Sequence, residues 1–337
     1  MKSKALKIVS IAILVVLILV LGMLAAGAIA KSNMAKQYPA PGQLVDVGGY
    51  KMHIHCTGQG SPTVILEAGL GDFSLIWSQV QPEVARFTRV CSYDRAGYGW
   101  SGPSPYPLTT SRMAGELHTL LVNANIQGPY VLVGHSLGGL IARIYAHTYP
   151  GEVAGIVLVD STHEEQYIRL AAAVPKFQEI LNRGNEQAVN QYRLFGILSS
   201  TGLMALVPQS IPNPAGFQEA VFEKYRANWA TTHFFDTIVM ERESLEGILA
   251  EARALHITSF DLPLIVIHVK PSGMGPEFTD VENQQLIEVQ RILQSDLAAL
   301  SSDSELIVAE HSSHCIQCDQ PDLVINAARE MVDRLRE

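Results

Sequence analysis

Apolar positions along this chain follow three different rhythms. Residues 8–30, "IVSIAILVVLILVLGMLAAGAIA", run without a charge. From about 44 to 160, short apolar runs alternate with amphipathic stretches. "KMHIHCT" alternates apolar and polar, as an outer strand does, whereas "PTVILEAG", "RVCSYD", "YVLVGHS" and "AGIVLVD" are continuous. Continuous runs of that length suit strands covered on both faces. Helical patterns are predicted between them at 74–86, 108–125 and 137–149. Such alternation predicts a doubly wound, mostly parallel α/β sheet.

The strand rhythm then stops. Residues 162–258 carry helical patterns, "FQEAVFEKYRANW" and "VMERESLEGILAEARAL", divided by "VPQSIPNPAG". "LPLIVIHV" and "ELIVAE" resume the strands around a helix predicted near 281–300. The expected organisation is a sheet domain at 44–161 and 259–337 with a helical cap, 162–258, inserted between strands 6 and 7. A cap over the carboxyl ends of parallel strands encloses the usual ligand crevice of such sheets.

The uncharged run at 8–30 matches the ~20 apolar residues needed to cross a bilayer. Lys2, Lys4 and Lys7 outnumber Lys31 and Lys36, so the amino terminus is expected on the cytoplasmic side. "AIA" at 28–30 resembles a small-residue cleavage site, which makes a secretory signal the alternative. The run exceeds the usual core of a signal peptide, so 1–30 is read as a membrane anchor. Both readings put the remaining chain outside the cytoplasm. Residues 31–43, with Pro39, Pro41 and Gly42, read as a short linker. A net charge of −9 without a basic stripe argues against a nucleic-acid partner.

Gly134-His135-Ser136-Leu137-Gly138 fits G-x-S-x-G, placed after a strand and before a helix. The glycines permit a tight turn that lifts a serine hydroxyl out of the sheet. A serine needs a base, and His314 lies in the loop after the last predicted strand, last in the chain order Ser, acid, His. His311, closer to that strand, is expected to pack there. "LEAGLGDFS" supplies a glycine loop whose Leu70 amide can pair with the Leu137 amide to hold an oxyanion.

"VILEAGLGD", "CSYDRAGYGWS", "GPYVLVGHSLGGLIARIYA" and "GIVLVDSTHEEQ" together resemble the serine-hydrolase branch of the α/β-hydrolase fold superfamily, in particular bacterial members with an amino-terminal hydrophobic segment. The likeness covers about 44–165 and 258–335. It implies an eight-stranded sheet, a Ser-His-acid triad and acyl-hydrolase chemistry, with Asp94 and Arg95 of "DRAGYGWS" structural. In most relatives the acid closely follows the strand written here as "LPLIVIHV". The first carboxylates after that strand are distant, Glu277 and Asp280, and the end of "GIVLVD" offers Asp160 instead. Asp160 is the preferred acid, with Glu277 and Asp280 as alternatives. The family's strand order makes neighbours of the strands holding Cys56 and Cys91, which implies a cross-strand disulfide.

His311, His314, Cys315 and Cys318 have donor spacing compatible with zinc, but they crowd into eight residues and His314 is already assigned. A Cys315–Cys318 disulfide is the competing expectation. No metal and no cofactor is expected. The expected substrate is a small carboxylic ester with a hydrophobic or acyl-chain component. The same residues serve acyl transfer, amide hydrolysis or perhydrolysis, and a ligand-binding protein that has kept the fold without turnover is the non-enzymatic alternative.

Overall fold

Eight strands form one sheet in the computed structural model, which describes residues 2–213 and 215–337. They are β1 Gln43–Asp46, β2 Lys51–Thr57, β3 Thr63–Glu67, β4 Val90–Tyr93, β5 Tyr130–His135, β6 Val153–Val159, β7 Leu264–Val269 and β8 Ser304–Ala309. The helices are α1 Lys2–Gln37, α2 Gln81–Val84, α3 Thr110–Asn123, α4 Leu137–Thr148, α5 Gln166–Ala173, α6 Lys176–Ser200, α7 Glu219–Thr231, α8 Phe234–Ala254, α9 Asp280–Ala298, α10 Ile316–Asp319 and α11 Pro321–Arg334. The spatial strand order is β1-β2-β4-β3-β5-β6-β7-β8. Only β2 runs against its neighbours, so every pairing from β4 across to β8 is parallel.

Alternation along each strand builds two cores. Val64, Leu66, Val131, Val133, Val157 and Val159 point to the face covered by α11 and part of the cap. Ile65, Leu132, Ile156, Leu158, Leu264 and Val266 point to the face covered by α3 and α4. Because both faces are covered, the middles of the central strands are continuously apolar, as the continuous runs predict, with polar residues such as Glu67 and His135 at the strand ends. The helix expected at 74–86 is broken into a 3-10 turn at Ser74–Trp77 and the short α2. Pro82 lies in the first turn of α2, where its missing N–H starts a helix but cannot continue one.

Helices α5 to α8 lie between β6 and β7 and form the cap. Aromatic rings fasten it to the sheet: Phe73 stacks on Tyr225 with centroids 5.6 Å apart, and Tyr98 meets Phe234 edge-on at 5.6 Å. Such contacts add roughly 0.5–1.5 kcal/mol each beyond area burial.

The expected linker at 31–43 differs from what is observed. Helix α1 continues to Gln37, because "KSNMAKQ" holds no helix breaker before Pro39. The few residues that follow are pinned rather than free. The Trp100 indole N–H donates to the Tyr38 carbonyl at 3.0 Å, the Tyr38 hydroxyl donates to Glu223 at 3.1 Å, and the His53 ring reaches the Pro41 carbonyl.

Candidate active site

Strand β5 ends at His135 and α4 begins at Leu137, leaving Ser136 alone to turn the chain. Its backbone takes φ 52° and ψ −121°, a conformation that costs an L-residue roughly 1–3 kcal/mol. The glycines around it have no room for a side chain. A Cβ on Gly134 would stand 2.5 Å from the Gly138 carbonyl oxygen, and one on Gly138 would stand 2.5 Å from the Glu67 carbonyl oxygen. The Ser136 amide donates to Val159 at 3.0 Å, and its carbonyl accepts from Thr162 at 3.0 Å, tying the turn to the end of β6.

Asp160 stands directly after β6, with φ 41°. Its amide donates to the Ile267 carbonyl at 2.7 Å and its Oδ1 accepts from the Val269 amide at 3.1 Å, so both backbone and side chain are held against β7. Its Oδ2 lies 2.5 Å from His314 Nδ1. The acceptor carboxylate places the imidazole proton on Nδ1 and leaves Nε2 free to take a proton.

The His314 loop is held at several points. Ser313 donates to Asp319 through its amide at 2.8 Å and its hydroxyl at 2.5 Å, and Cys315 and Cys318 are joined in a disulfide. His135 supports the loop from below, its Nε2 lying 2.9 Å from the His314 carbonyl oxygen. That carbonyl can only accept, so His135 carries its proton on Nε2. Burial, with the neighbouring His314 charge, pushes the His135 ring down to about 3 and keeps it neutral. For His314, burial works to lower the pKa, but the Asp160 hydrogen bond and the charges of Asp160 and Asp72 outweigh it and raise the group above 6.5.

Ser136, His314, Asp160, Leu70 and Leu137 all line one cavity of about 310 Å³. Its remaining walls are largely apolar and include Tyr167, Leu170, Phe177 and Leu245 of the cap and Met274 and Leu293 beyond β7. Gly69 brings Leu70 close to the serine turn: a Cβ there would meet His135 Nδ1 at 2.8 Å and the Ser136 Cβ at 3.1 Å. The other candidate acids lie elsewhere. Glu277 pairs with Arg183 on the surface, and Asp280 is the exposed first residue of α9. His311 is exposed too, with its amide on Gln320, rather than packed on β8; the strand's end turns that side chain outward. Cys56 and Cys91 face each other across β2 and β4 and are bonded, so all four cysteines are in disulfides and neither Cys315 nor Cys318 is a free thiolate for a metal.

Two groups near the site carry no sequence signal. Glu241 of α8 is buried beneath the Gly69–Gly71 loop. It accepts from the Gly71 amide at 3.0 Å, the Tyr98 hydroxyl at 2.6 Å and Arg95 at 2.9 Å. Arg95 in turn donates to Glu67 at 2.9 Å and to the Ala68 and Gly69 carbonyls at 2.5 and 2.7 Å. Burial pushes Glu67 up to about 7, although Arg95 pulls it down. Asp72 is the second such group: burial pushes it up to about 6 against the lowering charges of Arg95 and His314. Only the folded chain brings these residues together.

The strand order, the strand–serine–helix turn and the cap define an α/β-hydrolase fold. Residues 62–191 match the family model described as alpha/beta hydrolase fold. An AB hydrolase superfamily protein of Gibberella zeae is 27% identical over 303 residues, covering 82% of this chain and 87% of its own length. A protein of Hormonema carpetanum named "Probable transporter efuK" is 25% identical over 312 residues; they make up 86% of this chain but 42% of that protein, so this chain spans less than half of it. Among solved structures, a probable hydrolytic enzyme of Pseudomonas aeruginosa superposes with a TM-score of 0.63 at 19% identity, covering 88% of this chain and 95% of the other. At that identity the likeness shows the fold.

Proposed function

We propose that this chain is a serine hydrolase that cleaves a hydrophobic carboxylic ester beside a membrane in which α1 is anchored. The observation that carries the reading is the 2.5 Å contact between Asp160 and His314 in the cavity that also holds Ser136 on its strained turn. In this reading Ser136 Oγ attacks the ester carbonyl as His314 Nε2 takes its proton. The Leu70 and Leu137 amides bind the oxyanion, and Asp160 stabilises the imidazolium without taking its proton. His314 then protonates the departing alkoxide, and water, activated by the same ring, releases the acid from the acyl-enzyme. The apolar walls of the cavity favour acyl or alkyl substituents over charged ones.

A fluorophosphonate probe is expected to label the full chain, and Ser136→Ala is expected to abolish labelling. Labelling that persists in that variant rejects Ser136 as the nucleophile. For the anchor, the helix Lys4–Gln37 contains an 18-residue stretch of mean hydropathy 3.2 with none of it buried against the rest of the protein. Resistance of the protein to alkaline carbonate extraction, with an intact amino terminus by mass spectrometry, supports a retained anchor. A mature chain starting at Lys31 establishes a cleaved signal instead. The lysine bias at the amino terminus supports a catalytic domain outside the cytoplasm, which protease protection in sealed cells tests.

A further inference from the structure

The membrane helix is not a leash. Gly27 of α1 is in backbone contact with Gly202 of the cap: a Cβ on Gly27 would meet the Gly202 carbonyl at 2.9 Å, and one on Gly202 would meet the Gly27 carbonyl carbon at 2.4 Å. One turn further, Lys31 Nζ donates to the Ser199 carbonyl at 3.2 Å. With Tyr38 and Pro41 also held, the helix axis has a fixed direction relative to the cap.

Depth follows from that geometry. The uncharged stretch 8–30 is roughly 34 Å long at 1.5 Å per residue, close to the ~30 Å hydrocarbon core of a bilayer. Lys31 therefore marks the aqueous boundary, and Gly27 lies about one turn inside it. Cap residues touching Gly27 share its depth. Exposed apolar side chains lie along the chain on both sides of Gly202: Leu194 is 55% exposed and Ile197 60% before it, and Leu206 38% and Val207 47% after it, with the exposed polar Ser200 among them. Apolar side chains clustered beside a membrane helix gain by leaving water for the acyl boundary.

Resting on the reading of α1 as a retained anchor, we propose that the cap segment 194–207 is itself seated in the bilayer, with Leu194, Ile197, Leu206 and Val207 among the lipid headgroups and upper acyl carbons. The cap then meets the membrane directly, and lipid is its docking partner.

The test uses the full chain in phosphatidylcholine–phosphatidylglycerol nanodiscs. With the native cysteines all in disulfides, an introduced cysteine is the one free thiol for an environment-sensitive fluorophore. Ile197→Cys and Val207→Cys report on the cap, and Leu17→Cys reports on the anchor. Labels at 197 and 207 are expected to lose emission when the lipids carry a shallow doxyl quencher and to be shielded from iodide, while the label at 17 responds to a deep doxyl quencher. A quenched label at 17 with iodide-accessible, unquenched labels at 197 and 207 overturns this inference and leaves the anchor standing. An unquenched label at 17 removes the anchor, and this inference with it.

Discussion

Glu241 offers the sharpest test of how the cap and the catalytic floor depend on each other. It is 1% exposed and accepts from a main-chain amide, a phenol and a guanidinium at once. In Glu241→Ala, the Gly71 amide, the Tyr98 hydroxyl and one edge of Arg95 lose their acceptor in a dry site. Summing hydrogen bonds at about 1.5–3 kcal/mol each to a charged group would overcount, since they share one carboxylate. Breaking a buried ion pair costs about 3–5 kcal/mol. Arg95 keeps Glu67 and two carbonyls, so the low end, about 3 kcal/mol, is expected. For a domain of this size that is a fall in Tm of roughly 6–12 °C. The floor loop should loosen as well. Its Gly71 amide and Gly69 carbonyl are held through Glu241 and Arg95, and they flank the Leu70 amide assigned to the oxyanion. Losing one oxyanion donor entirely costs about 10²–10³ in kcat, which bounds the effect of misplacing it. Intrinsic-fluorescence melting in detergent micelles and hydrolysis of an apolar p-nitrophenyl ester measure the two effects. A Glu241→Ala protein that melts within about 2 °C of the parent and keeps its kcat refutes the reasoning, since 2 °C is under 1 kcal/mol here.

Asp160→Asn is expected to lower kcat by about 10³–10⁴, because the ring would no longer be held in the useful tautomer. Glu277→Gln and Asp280→Asn should leave kcat unchanged, and a reversal in the same ester assay reassigns the acid. For pH, the Asp72 carboxylate raises His314, so Asp72→Asn should lower the His314 pKa and move the acid limb of the kcat/KM profile to lower pH. An unmoved limb in a folded variant shows that Asp72 is electrically silent at the base.

The turn bearing Ser136 and the loop bearing His314 were legible because each is defined locally, by glycine spacing and by position after a strand. The acid was not. Asp160, Glu277 and Asp280 all follow strands, and choosing among them requires knowing which strand end faces the final loop. Glu241 had no local signature: it is 170 residues from the amide it holds, in a helix that also carries Glu243, Glu246 and Glu251, where any one glutamate reads as solvated. The far end of α1 escaped for a different reason. Hydropathy marks where apolar character stops, at Ala30, whereas helix propensity carries the backbone on to Gln37.

The clearances around Gly134, Gly138 and Gly139 have an evolutionary corollary. A Cβ on Gly139 would sit 2.2 Å from the Ser161 hydroxyl, so three strand ends meet at a junction with no slack, composed almost wholly of main chain. In the proposed reading, chemistry is thereby entrusted to parts that tolerate no drift, while part of the chamber wall, Tyr167, Leu170, Phe177 and Leu245, comes from a separate layer. Lineages can then refurnish that wall without touching the serine turn, and new selectivity in descendants of this chain is expected to appear there.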